Sequence, residues 1–181
     1  GIASGIFPAG GQSCISGSRL LIHKSIIDEF TERLVNLVKK ARVGDPNDPQ
    51  TQIGPMANRT HYESVLKKIS TAEKMGYELV LDGRSACREE GYYIGPTIFS
   101  NVPNNSDLAQ NEVFGPVAST ESWDCEDQVI HIANDTIYGL AAGIWSGNVT
   151  KAMRIADQIE AGTVYINNYF NAAAQSPVGG Y

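Results

Sequence analysis

The sequence predicts an α/β fold, a largely parallel sheet with helices on both faces. Two observations predict it. From about residue 116 onward, short branched or aromatic runs alternate with helical patterns, and strands that alternate with helices imply crossover units and parallel pairing. The chain of 181 residues, 42% hydrophobic, is also long enough to close one sizeable core.

The elements follow in order. Arg19 to Lys24 is rich in branched residues and lies between Ser18 and Ser25, which suits a buried strand. Ser25 offers an N-cap to an amphipathic helix with Ile26, Ile27, Phe30, Leu34, Leu37 and Val38 at helical spacing, acids early and bases late. Gly44-Asp-Pro-Asn-Asp-Pro breaks the chain, and a second helical pattern runs from about Asn58 to Lys74, closed by Gly76. Glu78 to Asp82 reads as a strand and Tyr92 to Ser100 as an extended segment whose Gly95-Pro96 makes it a poor central strand. The loop between them, with Cys87, reads as polar and exposed. The alternation then places strands at Pro116 to Trp123, Leu140 to Trp145 and Thr163 to Asn167, and helices at Glu126 to Asn134 and Val149 to Glu160. Tyr169 to Tyr181 reads as loop.

Composition excludes several classes of function. The net charge of -6 carries no basic stripe, so nucleic acid is not an expected partner. No apolar run approaches a bilayer span of about 20 residues, and the first residues lack the pattern of a signal peptide, so a cytoplasmic protein is expected, with no membrane partner. Cys14, Cys87 and Cys125 form no C-x-x-C pair and suit free thiols in a reducing compartment. His23, His61 and His131 are far apart, and no metal is assigned.

A nucleophilic cysteine must be a thiolate, partly accessible, among small neighbours and near a helix N-terminus. Cys14 meets this description: Gly10-Gly11 keeps the backbone open, Gln12-Ser13 adds polar groups without bulk, and Ser16-Gly17-Ser18 raises no apolar wall. Cys87 lies in a charged loop and Cys125 beside Asp124, Glu126 and Asp127, whose charges disfavour a thiolate. On chemistry alone, a small buried residue remains the commoner fate of a free cysteine.

The run Gly-Gln-Ser-Cys14-Ile-Ser-Gly-Ser-Arg-Leu resembles the cysteine signature of the aldehyde dehydrogenase superfamily. Further resemblances follow in family order: Val43-Gly-Asp-Pro with Thr51-Gln-Ile-Gly-Pro, Gly91-Tyr-Tyr-Ile-Gly-Pro-Thr-Ile-Phe, Asn111-Glu-Val-Phe-Gly-Pro-Val, Ala133-Asn-Asp-Thr-Ile-Tyr-Gly-Leu-Ala-Ala and Gly162-Thr-Val-Tyr-Ile-Asn. They span essentially the whole chain. The resemblance implies that the Cys14 thiolate adds to an aldehyde carbonyl, that hydride passes from the thiohemiacetal to NAD or NADP, and that water hydrolyses the thioester to an acid. The Cys14 N–H would be one donor to the oxyanion.

By the same resemblance Glu112 matches the glutamate that accepts from the nicotinamide ribose hydroxyls, and Phe114 the aromatic beside that ribose and ring. Asn167 matches an asparagine that supports the nucleophile region, with a strand-end residue satisfying loop backbone as the alternative. Tyr169 to Val178 would form a wall of the aldehyde tunnel, where Ala172 and Val178 stand in place of bulky aromatics, and Phe7 is a further lining candidate or a core residue.

The resemblance implies that residues 1–181 are the cysteine-bearing catalytic domain, truncated. The dinucleotide-binding domain, most cofactor contacts, the glutamate base, the oxyanion asparagine and the C-terminal oligomerisation segment are expected outside it. The parent is expected to be a homodimer or homotetramer acting on a small-molecule aldehyde, and the isolated chain is expected to be inactive. A coenzyme A-acylating dehydrogenase and a non-catalytic, crystallin-like use of the fold are the alternatives. A thiol hydrolase would need a histidine partner for Cys14, which no motif supplies.

Overall fold

The computed structural model describes residues 1–171 and 175–181. Strands β1 (Arg19–His23), β2 (Glu78–Leu81), β3 (Thr97–Ser100), β4 (Val117–Trp123), β5 (Ala141–Ile144) and β6 (Thr163–Ile166) are interleaved with helices α1 (Ile27–Val38), α2 (Arg59–Lys74), α3 (Asp107–Gln110), α4 (Glu126–Asn134) and α5 (Val149–Ala156). The expected α/β class is observed, with the strands divided between two sheets. One has the order β1-β4-β3-β2 and the other is the pair β5-β6. β4 pairs in parallel with β1 and β3, β5 in parallel with β6, and only β2 runs antiparallel, on the edge beside β3.

Helices cover both faces of the larger sheet because its inner strands alternate in what they bury. Phe99 and Val117 pack with Val65, Ile69 and Ala72 of α2, whereas Ile98 and Ala118 pack with Leu34 and Val38 of α1. In α2 the buried residues fall at i, i+4 and i+7, one helical face, and Asn58 caps it by accepting the His61 N–H at 2.9 Å, worth about 1 kcal/mol. Gly76 ends it at φ +84. No helix among the described residues is long and apolar enough to cross a membrane.

Several elements depart from their expected bounds. Ser25 does not cap α1, which begins at Ile27. Its hydroxyl lies 2.7 Å from His23 Nδ1 instead. The segment after Gly95-Pro96 is an interior strand, because Pro96 precedes β3 and removes no N–H from its ladder, and all four β3 residues are buried. α5 stops at Ala156, four residues short. The Cys87 loop is not simply exposed: it holds a 3-10 turn, Gly83–Ala86, and Cys87 is half-buried. The neighbouring Cys87, then burial, pushes the Tyr62 phenol up to about 12. α3 and the two 3-10 turns that precede Cys14 had no counterpart in the periodicity.

Candidate active site

Cys14 follows two 3-10 turns, Ile2–Gly5 and Pro8–Gly11, and is exposed in a turn that Ser16 N–H closes on Ser13 C=O at 3.0 Å. It is not at a helix N-terminus, since the chain runs on from it into β1. Ala9, Gly10 and Gly11 take left-handed φ values of 54, 64 and 67, which bend the loop back on itself. A Cβ at Gly11 would lie 2.1 Å from the Gly115 carbonyl oxygen, so here the cysteine loop rests directly on the backbone of the Glu112–Pro116 segment. The two most specific motifs, about a hundred residues apart in sequence, thus meet.

Other bonds brace the loop. Gln12 donates from Nε2 to Ala9 C=O at 3.0 Å and Pro55 C=O at 3.3 Å, and accepts the Ala57 N–H at 2.8 Å, tying the loop to the chain that enters α2. Gly17 N–H donates to Gly5 C=O at 3.0 Å. Phe7 is 4% exposed in the α1-side core and forms no open wall.

The Glu112–Gly115 segment forms a ledge. Val113 and Gly115 are buried while Glu112 and Phe114 are exposed, so alternate residues anchor the ledge and present a carboxylate and an aromatic ring to solvent. Phe114 holds a left-handed φ of 56. Its carbonyl faces His61 Nε2 at 2.7 Å, and the two rings meet edge to face with centroids 5.8 Å apart. Glu112 donates its N–H to the Tyr138 hydroxyl at 3.2 Å, and its carbonyl accepts from the Lys68 ammonium. His61, Lys68 and Tyr138 escaped the sequence reading. The one available signal was that His61 and Lys68 stand seven apart, two turns along one face of a helix.

Tyr169 supports Cys14 from the other side. Its hydroxyl donates to Ile15 C=O at 2.8 Å, and its ring lies over Gly5, Gly17 and Gly143, positions where a Cβ would come within 2.9, 3.4 and 2.6 Å of it. Trp145 stacks on it at 5.9 Å and Tyr165 tilts against it at 5.0 Å. Burial, then the neighbouring Tyr165, pushes the phenol up to about 12 from the usual 10. Because the folded state holds this proton more tightly, its contribution is fully present below pH 10 and is lost as pH rises toward 12. Urea melts are therefore expected to show about 2 kcal/mol less alkaline destabilisation between those values in Tyr169→Phe than in the parent; equal losses would contradict it.

Asn167 does not reach Cys14. Its amide clips Ser146, accepting that residue's N–H at 2.9 Å and donating to its C=O at 3.0 Å, which fixes the chain two residues before Tyr169. Val178, 71% exposed, lines a cavity of about 160 Å³ with Leu140, Thr163, Tyr165 and Ile15, the residue that follows Cys14. Ala172 lies outside the described residues.

The aldehyde dehydrogenase family model matches residues 1–181. The chain is 40% identical over 184 positions to betaine aldehyde dehydrogenase of Brucella anthropi, covering 100% of this chain and 38% of that protein. It is 40% identical over 177 positions to cytosolic aldehyde dehydrogenase 1 of Macroscelides proboscideus, covering 98% and 35%. Among solved structures, the NAD-dependent aldehyde dehydrogenase of Sinorhizobium meliloti superposes with a TM-score of 0.96 at 39% identity, over 100% of this chain and 36% of that one. The NAD+ complex of the Bacillus cereus enzyme gives 0.96 at 34% identity, over 100% and 37%. The chain spans a little over a third of the length of these relatives. With its sequence matched from end to end and its fold superposed on a solved member, the chain belongs to the aldehyde dehydrogenase family.

Proposed function

We propose that the enzyme carrying this chain oxidises an aldehyde to a carboxylic acid with Cys14 as nucleophile, and that residues 1–181 form its cysteine-bearing catalytic domain. One observation carries the reading: an exposed cysteine on a braced turn rests, through Gly11 and Gly115, on a ledge that offers Glu112 and Phe114 to solvent. The Cys14 thiolate forms a carbon–sulfur bond to the aldehyde carbon, and the carbonyl π pair moves to oxygen as an alkoxide. The Cys14 N–H donates to that oxygen. The ledge fits a dinucleotide's ribose and ring, because one carboxylate can accept from both hydroxyls of a diol and Phe114 supplies an exposed aromatic face. When bound, NAD or NADP supplies the acceptor for the hydride that the aldehyde carbon gives up. The Bacillus cereus relative was solved with NAD+, which makes NAD the first cofactor to test.

Tyr169, Gln12, Ser13 and Asn167 belong to the scaffold of the nucleophile, and Val178 to the wall beside it, with Phe7 in the core behind. The glutamate that activates water, the second oxyanion donor and most of the cofactor cradle lie outside residues 1–181 on this reading, in a cytoplasmic homodimer or homotetramer. An assay of the full-length enzyme with a panel of aldehydes that includes betaine aldehyde, the substrate in the Brucella relative's name, is expected to give steady NAD(P)H formation. The 181-residue chain alone is expected to give none, yet to be alkylated by iodoacetamide at Cys14 before Cys87. No turnover by the full-length enzyme on any aldehyde, or preferential labelling of Cys87, would count against the reading.

A further inference from the structure

Phe114 is held in a backbone conformation that a phenylalanine does not choose. A left-handed φ crowds the Cβ of an L-residue against its own backbone, and it persists where neighbours over-determine it. Two residues earlier Glu112 is exposed, with its backbone bonded on both sides. The groups that do the holding come from α2 and from the turn before β5. His61 Nε2 faces the Phe114 carbonyl at 2.7 Å. The Lys68 ammonium, two turns along the same helix, donates to the Glu112 carbonyl. The Tyr138 hydroxyl accepts the Glu112 N–H at 3.2 Å.

The His61 contact has a defined sense. A carbonyl only accepts, so Nε2 must carry the hydrogen, and His61 acts as the donor. Its ring is itself set by the edge-to-face contact with Phe114 and by its place in the first turn of α2, where Asn58 receives its N–H. α2 is in turn anchored by Val65 and Ile69, both fully buried, and Gly115 passes close over Val65, where a Cβ would come within 2.9 Å. The ledge is therefore fastened at the carbonyls of Glu112 and Phe114 to a helix that the core does not let move.

We propose that His61, seconded by Lys68, is a positioning residue for cofactor binding. It touches neither the aldehyde nor Cys14, and it keeps Phe114 in its left-handed conformation so that the Glu112 carboxylate and the Phe114 ring stand ready before the dinucleotide arrives. This rests on the cofactor role of Glu112 and Phe114 proposed above. Without the bond the ledge samples other conformations, and apparent affinity falls by the fraction of time it is competent.

The test is made in the full-length enzyme with His61→Leu, His61→Gln, Lys68→Met and Glu112→Gln. Equilibrium NAD+ binding by calorimetry is expected to weaken about three- to tenfold in His61→Leu and by less in Lys68→Met. The KM for NAD+ follows while kcat and the aldehyde KM stay within about twofold, and His61→Gln, which keeps an N–H donor, restores most of the affinity. Amide hydrogen exchange over residues 111–117, measured with no cofactor added, is expected to be faster in His61→Leu and near the parent rate in His61→Gln. Parent-like NAD+ affinity and unchanged exchange in His61→Leu would overturn the proposal, and so would a loss that His61→Gln fails to restore. Should His61→Leu not fold, Lys68→Met and His61→Gln decide: faster exchange over 111–117 in the first alone supports the fastening, and parent-like exchange and affinity in both refute it. The Glu112→Gln arm separates the two readings. Parent affinity there means the ledge is not the cofactor contact and the earlier reading fails, whereas weakened affinity there with none in His61→Leu means only the present inference fails.

Discussion

Cys14→Ala in the full-length enzyme is expected to lose aldehyde-dependent NAD(P)H formation by about 10⁴-fold or more, because the proposed mechanism assigns the covalent adduct to Cys14. The loss is expected in kcat, with NAD+ binding kept within about twofold, since the ledge is built without the cysteine side chain. Cys87→Ala and Cys125→Ala are the controls. Cys87 faces Tyr62 beneath its loop, and Cys125 stands exposed at the start of α4 with no side-chain cap bond. Both variants are expected to retain activity. Parallel steady-state and binding measurements on the three variants check this, and a Cys14→Ala enzyme within tenfold of the parent would remove the basis of the mechanism.

Gly11→Ala is the second large effect, and it acts on structure. At φ +67 the alanine methyl is strained, and at 2.1 Å from the Gly115 oxygen it meets backbone, which cannot rotate away as a side-chain tip could. Together these are expected to cost about 2 to 5 kcal/mol, read from urea unfolding. Gly76→Ala isolates the first cause, because Gly76 has φ +84 and open space around its Cβ position. Its expected cost is about 1 kcal/mol. If Gly11→Ala costs no more than Gly76→Ala, the contact between cysteine loop and ledge carries no weight.

Sequence patterns disclose only part of such a site. α2 was legible because Val65, Ile69 and Ala72 repeat with the helix and Asn58 sits where a cap belongs, all within one stretch of chain. β1 was legible as a strand from its run of branched residues, but not as a buried one: it lies on the sheet's edge and of its five residues only Ile22 is buried. Ser25 misled because a cap and a turn residue look alike in sequence, and His23 took its hydroxyl. Pro96 misled because the rule against proline applies inside a ladder, and the ladder begins one residue later. The division into two sheets depends on pairing that no local pattern encodes. At the site itself, the family motifs pointed to Cys14, Glu112 and Phe114, but their support is tertiary. The approach of Gly11 to Gly115, the reach of Tyr169 to Ile15 and the hold of His61 on Phe114 join residues 53 to 154 positions apart. The left-handed φ of Phe114 carries no mark in the sequence, where a glycine would have announced it.

The pairing of β1 with β4 also sets a schedule. Arg19 lies opposite Ser119, so the strand that leaves the cysteine turn finds its partner only after a hundred further residues have been made. At the pace of synthesis this is a wait of about 5 to 20 seconds, with Leu20 and Ile22 unpaired. Most of the intervening chain, α2 and the β2–β3 hairpin included, can form meanwhile from nearer contacts. The cysteine turn, made before the strands that support it, is thus among the last parts of this domain to be seated.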